Sequence, residues 1–183
     1  MDAYVFIRRA TRAVVKALVQ LHGEMPERVR AVATTTGAYD ALVFVDVESI
    51  NELEELVRNK IRGEAGARGT ETSVALYGPD GEGGLAATFT PLWPHRGIVP
   101  DHEVLARIRC QSGMASAVIQ ELTHVKGFHA ASIVAGPFDI LLELGAPSVD
   151  ELGDDLLNMN GVNGILWSDS AFASIVAAPG LGP

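Results

Sequence analysis

Residues Gly37 to Leu53 read GAYDALVFVDVESINEL, and residues Gly136 to Leu152 read GPFDILLELGAPSVDEL. At an offset of 99, Gly37 meets Gly136, Tyr39 meets Phe138, Asp40 meets Asp139 and Leu42 meets Leu141. Further on, Ser49, Glu52 and Leu53 meet Ser148, Glu151 and Leu152. Each stretch is a Gly-x-aromatic-Asp link entering an apolar, strand-like run. A Ser-x-x-Glu capping box follows, in which the serine accepts from the N3 amide and the glutamate reaches back. Upstream the offset becomes 101, so that Ile7 and Arg8 meet Ile108 and Arg109. The two-residue difference falls in the loop after the first helix, where length variation costs least. The chain reads as a tandem duplication.

Working outward, each copy reads strand, helix, strand, strand, helix, strand. In the first, AYVFIRR is a β-rich run. Thr11 caps a helix whose apolar positions Val14, Val15, Leu18 and Leu21 recur at helical spacing, with Gly23 as its stop. RVRAVATTT and DALVFVDV are two strands joined by a short link. The helix after Ser49 carries Ile50, Leu53, Leu56, Val57 and Ile61 on one face, and TETSVALY closes the unit. In the second copy, LARIRC is a strand and SGMASAVIQELTHV a helix with Met114, Val118, Ile119 and Leu122 facing inward. FHAASIVA and DILLEL form the hairpin, the helix after Ser148 carries Leu152, Leu156 and Leu157, and SDSAFASIV is the last strand.

The order βαββαβ is the ferredoxin-like split βαβ, with both helices on one face of a four-stranded antiparallel sheet. The hairpin strands are apolar on both sides, so a single unit would expose a patch large enough to drive association. The expected fold is therefore α+β: tandem ferredoxin-like units with dimeric α+β barrel-like packing of two antiparallel sheets. The expected division is a first domain over 1–77, a connector over 78–103 and a second domain over 104–183. The connector opens with turn chemistry, GPDGEGG, and its LAATFTPLW is apolar enough to lie as an extended segment against a sheet or helix. The closing APGLGP is expected to fray.

Composition narrows the function classes. The chain has 183 residues, is 48% apolar and 20% charged, and contains no apolar run approaching the roughly 18 residues that span a bilayer. With no signal-like start, the cytoplasm is the expected compartment and no membrane partner is implied. One cysteine, Cys110, excludes an intrachain disulfide framework. A formal charge of −9 argues against direct nucleic-acid binding, which needs a basic surface. The basic cluster Arg8, Arg9, Arg12 and Lys16 reads as a solvated face.

The pattern of a Gly-x-Tyr/Phe-Asp link, an apolar strand, a helix and a Thr-x-Thr strand resembles the effector-binding (RAM) domain of the Lrp/AsnC transcription regulators. It is written here as TTTGAYDALVFVDV…TETSVAL and again as IVAGPFDILLEL…SDSAFA, covering about residues 3–77 and 104–175. The first strand starts at residue 3, which leaves no room ahead of it for the family's helix-turn-helix. The resemblance implies a small-molecule sensing and assembly module, typically for amino acids, with a homo-oligomer or a DNA-binding relative as partner. Carried over residue by residue, it implies ligand-binding positions Thr36, Gly37, Tyr39, Asp40, Thr70 and Thr72. Their pseudo-equivalents are Gly136, Phe138, Asp139, Ser168 and Ser170. The second set departs from the pattern: Phe138 lacks the hydroxyl of Tyr39, and Pro137 lacks an amide.

The Gly-x-aromatic-Asp link also has a structural explanation. Glycine supplies a positive φ, the aromatic plugs the sheet end, and aspartate bonds nearby amides. In the functional reading a glycine amide approaches a ligand carboxylate while Asp40 takes an ammonium. No metal or cofactor is implied: His124 and His129 straddle a glycine at a helix end and lack the i,i+4 spacing of a shared helical face. His95 and His102 lie among prolines. Cys110 ends an apolar strand with no base beside it, which argues against nucleophilic catalysis. The expectation is a non-enzymatic effector-binding and oligomerisation protein. The alternatives are a dimeric α+β barrel enzyme such as a small monooxygenase, which would need an arranged polar set on its sheets, or an assembly protein without a ligand.

Overall fold

β-Rich runs, capping serines and helical periodicity set the elements found in the computed structural model, which describes residues 1–76 and 101–178. Two units separate: Met1–Val74 with Ala173–Pro183, and Ala75–Phe172. Unit 1 contains β1 (Asp2–Ile7), α1 (Arg12–Glu24), β2 (Val29–Thr36), β3 (Ala41–Asp46), α2 (Ile50–Glu55), a π-helical segment (Leu56–Glu64) and β4 (Thr70–Ala75). Unit 2 contains β5 (His102–Cys110), α3 (Ala115–Leu122), β6 (Phe128–Ala135), β7 (Ile140–Ala146) and α4 (Val149–Asn160). The last strand, β8 (Ile165–Ala177), begins in unit 2 and ends in unit 1.

In unit 1 the sheet order is β4-β1-β3-β2, all antiparallel. In unit 2 it is β8-β5-β7-β6, again antiparallel. The registers correspond at the offsets read from the sequence. Ile7 pairs with Ala41, and Ile108 pairs with Ile140. A bulge interrupts β2 between Val29 and Ala31, and another interrupts β6 between Phe128 and Ala130. A bulge adds one residue to one strand and bends it, so its recurrence at the aligned position carries more weight than shared apolar character.

All three serine and threonine caps form. Thr11 Oγ1 accepts from the Val14 amide at 3.4 Å, Ser49 Oγ from Glu52 at 3.3 Å and Ser148 Oγ from Glu151 at 3.2 Å. Glu52 Oε2 accepts from the Glu48 amide at 2.8 Å, which completes the first box one residue before the cap. The core of unit 1 gathers Val5, Ile7, Val43 and Val45 from the sheet with Leu18, Leu21, Leu53, Leu56 and Ile61 from the helical side. Unit 2 repeats this with Ile108, Leu142 and Leu144 under Val118, Ile119, Leu122, Leu152 and Met159. Each fully buried aliphatic side chain contributes about 1.5–3 kcal/mol.

Three details differ from the sequence reading. Gly23 lies inside α1, which ends one residue later at Glu24. Ile50, placed by periodicity on one face with Leu53 and Leu56, is 61% exposed, and Leu157 of the last helix is 71% exposed. The second helix of unit 1 loses α geometry after one and a half turns, and its i→i+5 winding appears in the bond from the Ala65 amide to the Lys60 carbonyl at 2.9 Å. The strand TETSVALY extends to Ala75. The connector's LAATFTPLW and the closing APGLGP lie outside the described residues. Among the described residues no helix is long and apolar enough to cross a membrane.

Candidate functional site

The two hairpin links are built alike. The Asp40 amide donates to the Ile7 carbonyl, and the Thr35 amide donates to the Asp40 carbonyl, both at 2.9 Å. Asp139 makes the same two bonds with Ile108 and Val134 at the same distances. Both carboxylates reach backbone at the end of the first strand of their unit, Asp40 just past β1 and Asp139 at the last residue of β5. Asp40 Oδ2 accepts from the Ala10 amide at 3.1 Å, and Asp139 Oδ2 accepts from the Cys110 amide at 2.8 Å. Gly37 has φ 151°, a conformation that excludes a side chain without strain. Thr35 Oγ1 donates to the Tyr39 carbonyl at 2.7 Å and closes the link.

Tyr39 is buried with its ring 5.1 Å from that of Phe6. Its hydroxyl accepts from Arg8 Nη2 at 3.1 Å, and the guanidinium lies 4.8 Å from the ring centroid. Glu71 Oε2 stands 3.6 Å from Arg8 Nη2. An exposed cation, a carboxylate, a tyrosine hydroxyl and the exposed Thr36–Gly37 link therefore meet at one end of the unit 1 sheet. Arg8 and Glu71 were not among the residues expected from the sequence. The sequence alone puts Arg8 on a solvated basic face, and only the register that sets Phe6 opposite Glu71 brings the two together.

The remaining expected residues divide between the two faces of each sheet, because neighbours along a strand point opposite ways. Thr70 and Thr72 pair with Ile7 and Val5, both in the core beneath the helices. Tyr39 packs on Phe6, on the other face. In unit 2, Ser168 and Ser170 pair with Ile108 and Ala106 on the helix side, and Ser168 Oγ donates to Asn160 Oδ1 at 2.6 Å. Phe138 lies on the opposite face, 5.7 Å from the Arg107 guanidinium. The structure thus brings together Thr36, Gly37, Tyr39 and Asp40, and sets Thr70, Thr72, Ser168 and Ser170 apart from the aromatic residues of their links. Gly136, before Pro137, is an exposed link residue like Gly37.

Unit 2 carries a polar set that the sequence reading missed. On the sheet face away from its helices, Arg107 forms an ion pair with Asp169 and lies 5.7 Å from the Trp167 ring. Glu143, opposite Leu105, is fully buried, and burial pushes its carboxyl up to about 9 against a hydrogen bond with Glu103 that lowers it. His129 Nδ1 lies 3.9 Å from Glu143 Oε1. Equivalent positions in unit 1 hold Phe6 for Arg107 and Phe44 for Glu143, and the Phe44 ring stacks on Tyr4 at 5.4 Å. One unit is aromatic where the other is charged. The available signal is charge inside a largely apolar strand: Arg107 in LARIRC and Glu143 in DILLEL. Cys110, also buried, has its thiol pushed up to about 11 by burial and then by the Asp139 carboxylate. That makes it a poor nucleophile at neutral pH.

These elements define a ferredoxin-like α+β protein, and comparison with solved structures agrees over nearly the whole chain. The siroheme decarboxylase NirDL is 12% identical, with 95% of this chain and 71% of that one covered and a TM-score of 0.70. A chlorite dismutase from Candidatus Nitrospira defluvii is 10% identical, with 94% and 90% covered and a TM-score of 0.57. These likenesses bear out the fold class expected from the sequence, that of the dimeric α+β barrels. A shorter match to AsnC of E. coli covers 51% of this chain and 65% of that one, at 15% identity and a TM-score of 0.39. Residues 2–81 match the family model of the Lrp/AsnC ligand binding domain, which bears out the resemblance read from TGAYD and its flanks. The second Gly-x-aromatic-Asp link lies beyond the matched residues. No curated protein matches the chain in sequence.

Proposed function

We propose that this protein is an effector-sensing member of the Lrp/AsnC type, binding a small amphoteric molecule, an amino acid, and acting in transcriptional regulation as a cytoplasmic homo-oligomer or with a DNA-binding relative. The observation that carries the reading is the meeting of Arg8, Tyr39 and Glu71 beside Thr36–Gly37, inside the residues that match the ligand binding domain. A zwitterion needs opposite partners at one place. The exposed guanidinium suits its carboxylate, and Glu71 suits its ammonium. Asp40, engaged by the Ala10 amide, shapes the link that presents these groups.

Thermal-shift measurement against the twenty amino acids tests this, because a ligand that binds only the native state raises the melting temperature. At least one amino acid is expected to raise Tm, and Arg8→Gln to remove the rise without lowering the Tm of the free protein by more than a degree or two. No rise at millimolar concentration, or a rise that survives Arg8→Gln, would overturn the proposal. The second reading, an enzyme on the same fold, is favoured by the buried Arg107, Glu103 and Glu143 of unit 2 with the half-buried Asp169 paired to Arg107, the arranged polar set such an enzyme needs. A haem or flavin band in the absorbance of the purified protein would support it.

A further inference from the structure

We propose that unit 1 carries a second ligand site, distinct from the hairpin link, in the groove between α2, the π-helical segment and β4, and that it takes an amphiphilic carboxylate: an aliphatic chain ending in an acid group. The open groove offers about 430 Å³, within the range of small-molecule sites. Its apolar wall is Leu53, Val57 and Val74, with Ile50 at the lip. Ile50 is 61% exposed at a position where helical periodicity would turn it inward, so a large apolar side chain stands at the mouth of an apolar groove. Thr72 of β4 also lines this groove.

The charges at the rim select the ligand's head group. Arg58 Nη1 donates to Glu54 Oε1 at 3.1 Å, an i,i+4 pair that neutralises both. Arg62, on the same wall, makes no ion pair among the described residues. One uncompensated guanidinium beside an apolar wall complements an acid head on an aliphatic tail, and the Thr72 hydroxyl adds a donor. The wall itself is unusual. Val57, Arg58 and Arg62 all belong to the π-helical segment, a geometry that is rare and concentrates at functional sites.

Calorimetric titration of the full chain with decanoate, decanol, decylammonium and acetate tests this at 0.15 M salt. Decanoate is expected to bind, decanol to bind roughly tenfold more weakly, the scale of one charge-assisted hydrogen bond, and decylammonium and acetate to give no heat of binding. Arg62→Gln is expected to equalise decanoate and decanol. Ile50→Gln, at an exposed position that leaves the core intact, is expected to weaken both. Arg8→Gln should leave decanoate binding unchanged, so failure at the hairpin link and failure at the groove are separable. Absence of decanoate binding at millimolar concentration would overturn the proposal. So would a decanoate preference that persists in Arg62→Gln, or decylammonium binding as tightly as decanoate.

Discussion

At the scale of single residues, the two aspartates of the links do similar work in each unit, holding backbone at or just past the end of the first strand. Asp40→Ala and Asp139→Ala are each expected to lower stability by about 1 kcal/mol, the usual loss when a carboxylate that accepts from a backbone amide is removed. Asp139 should be the more sensitive, since its partner amide belongs to buried Cys110. Chemical denaturation of both variants measures this, and equal or absent effects would contradict it. Glu143 makes a pH prediction. Burial holds its proton in the folded state up to about 9, whereas the unfolded chain releases it in the ordinary glutamate range. The folded state therefore binds more protons between those values, and stability falls as pH climbs through that window. Glu143→Gln should remove most of this slope and leave the protein at least as stable at neutral pH. The link residues were legible in the sequence because glycine and aspartate have local backbone roles. Glu143 and Arg107 were not, because which face of the sheet a charge in a largely apolar strand takes, and what it meets there, depends on the pairing of the strands.

At the scale of elements, the capping serines and the strand pairing followed from local chemistry, while the π-helical segment did not. Nothing in LVRNKIRGE forbids an α-helix, and the spacing of Ile50, Leu53, Leu56, Val57 and Ile61 suits one. The observed winding buries Leu53, Leu56 and Ile61 and leaves Ile50 at the groove lip, so tertiary packing has overridden the simplest periodic face. The residue that anchors this choice is Ile61, fully buried among Leu18, Leu21 and Val29 in the core of unit 1. Ile61→Ala is expected to cost about 2–5 kcal/mol, whereas Ile50→Ala, at an exposed position, should fall within about 0.5 kcal/mol of the parent. Comparable losses at the two positions would mean that the winding described for 56–64 is not the one adopted in solution. The division of Thr72 from Tyr39 has the same origin, for a sequence motif gathers residues along the chain and a pleated strand then sends them to opposite faces.

At the scale of the whole chain, β8 is the element whose extent the sequence understated. SDSAFASIV accounts for nine of its thirteen residues, and the strand runs from Ile165 to Ala177. Its first part pairs with β5 in unit 2, from Ile165 opposite Cys110 to Phe172 opposite Val104. Its last part belongs to unit 1, where Ala177 joins the core and Thr34 Oγ1 of β2 donates to the Ser174 carbonyl at 3.4 Å. Unit 1 is thus completed by residues nearly a hundred positions beyond its own β4. A chain ended after Phe172 keeps every β5–β8 pair but strips β2 of the strand beyond it, leaving a row of unpaired backbone groups at a sheet edge. Amide exchange is expected to accelerate at least tenfold across β2 (Val29–Thr36), while amides of β5 and β7 in unit 2 keep their protection, because protection follows the local cost of opening. Hydrogen exchange read by mass spectrometry separates the outcomes. Unchanged protection in β2 would show that the end of β8 contributes nothing to unit 1, and loss throughout unit 2 would show that the two units do not keep separate stabilities.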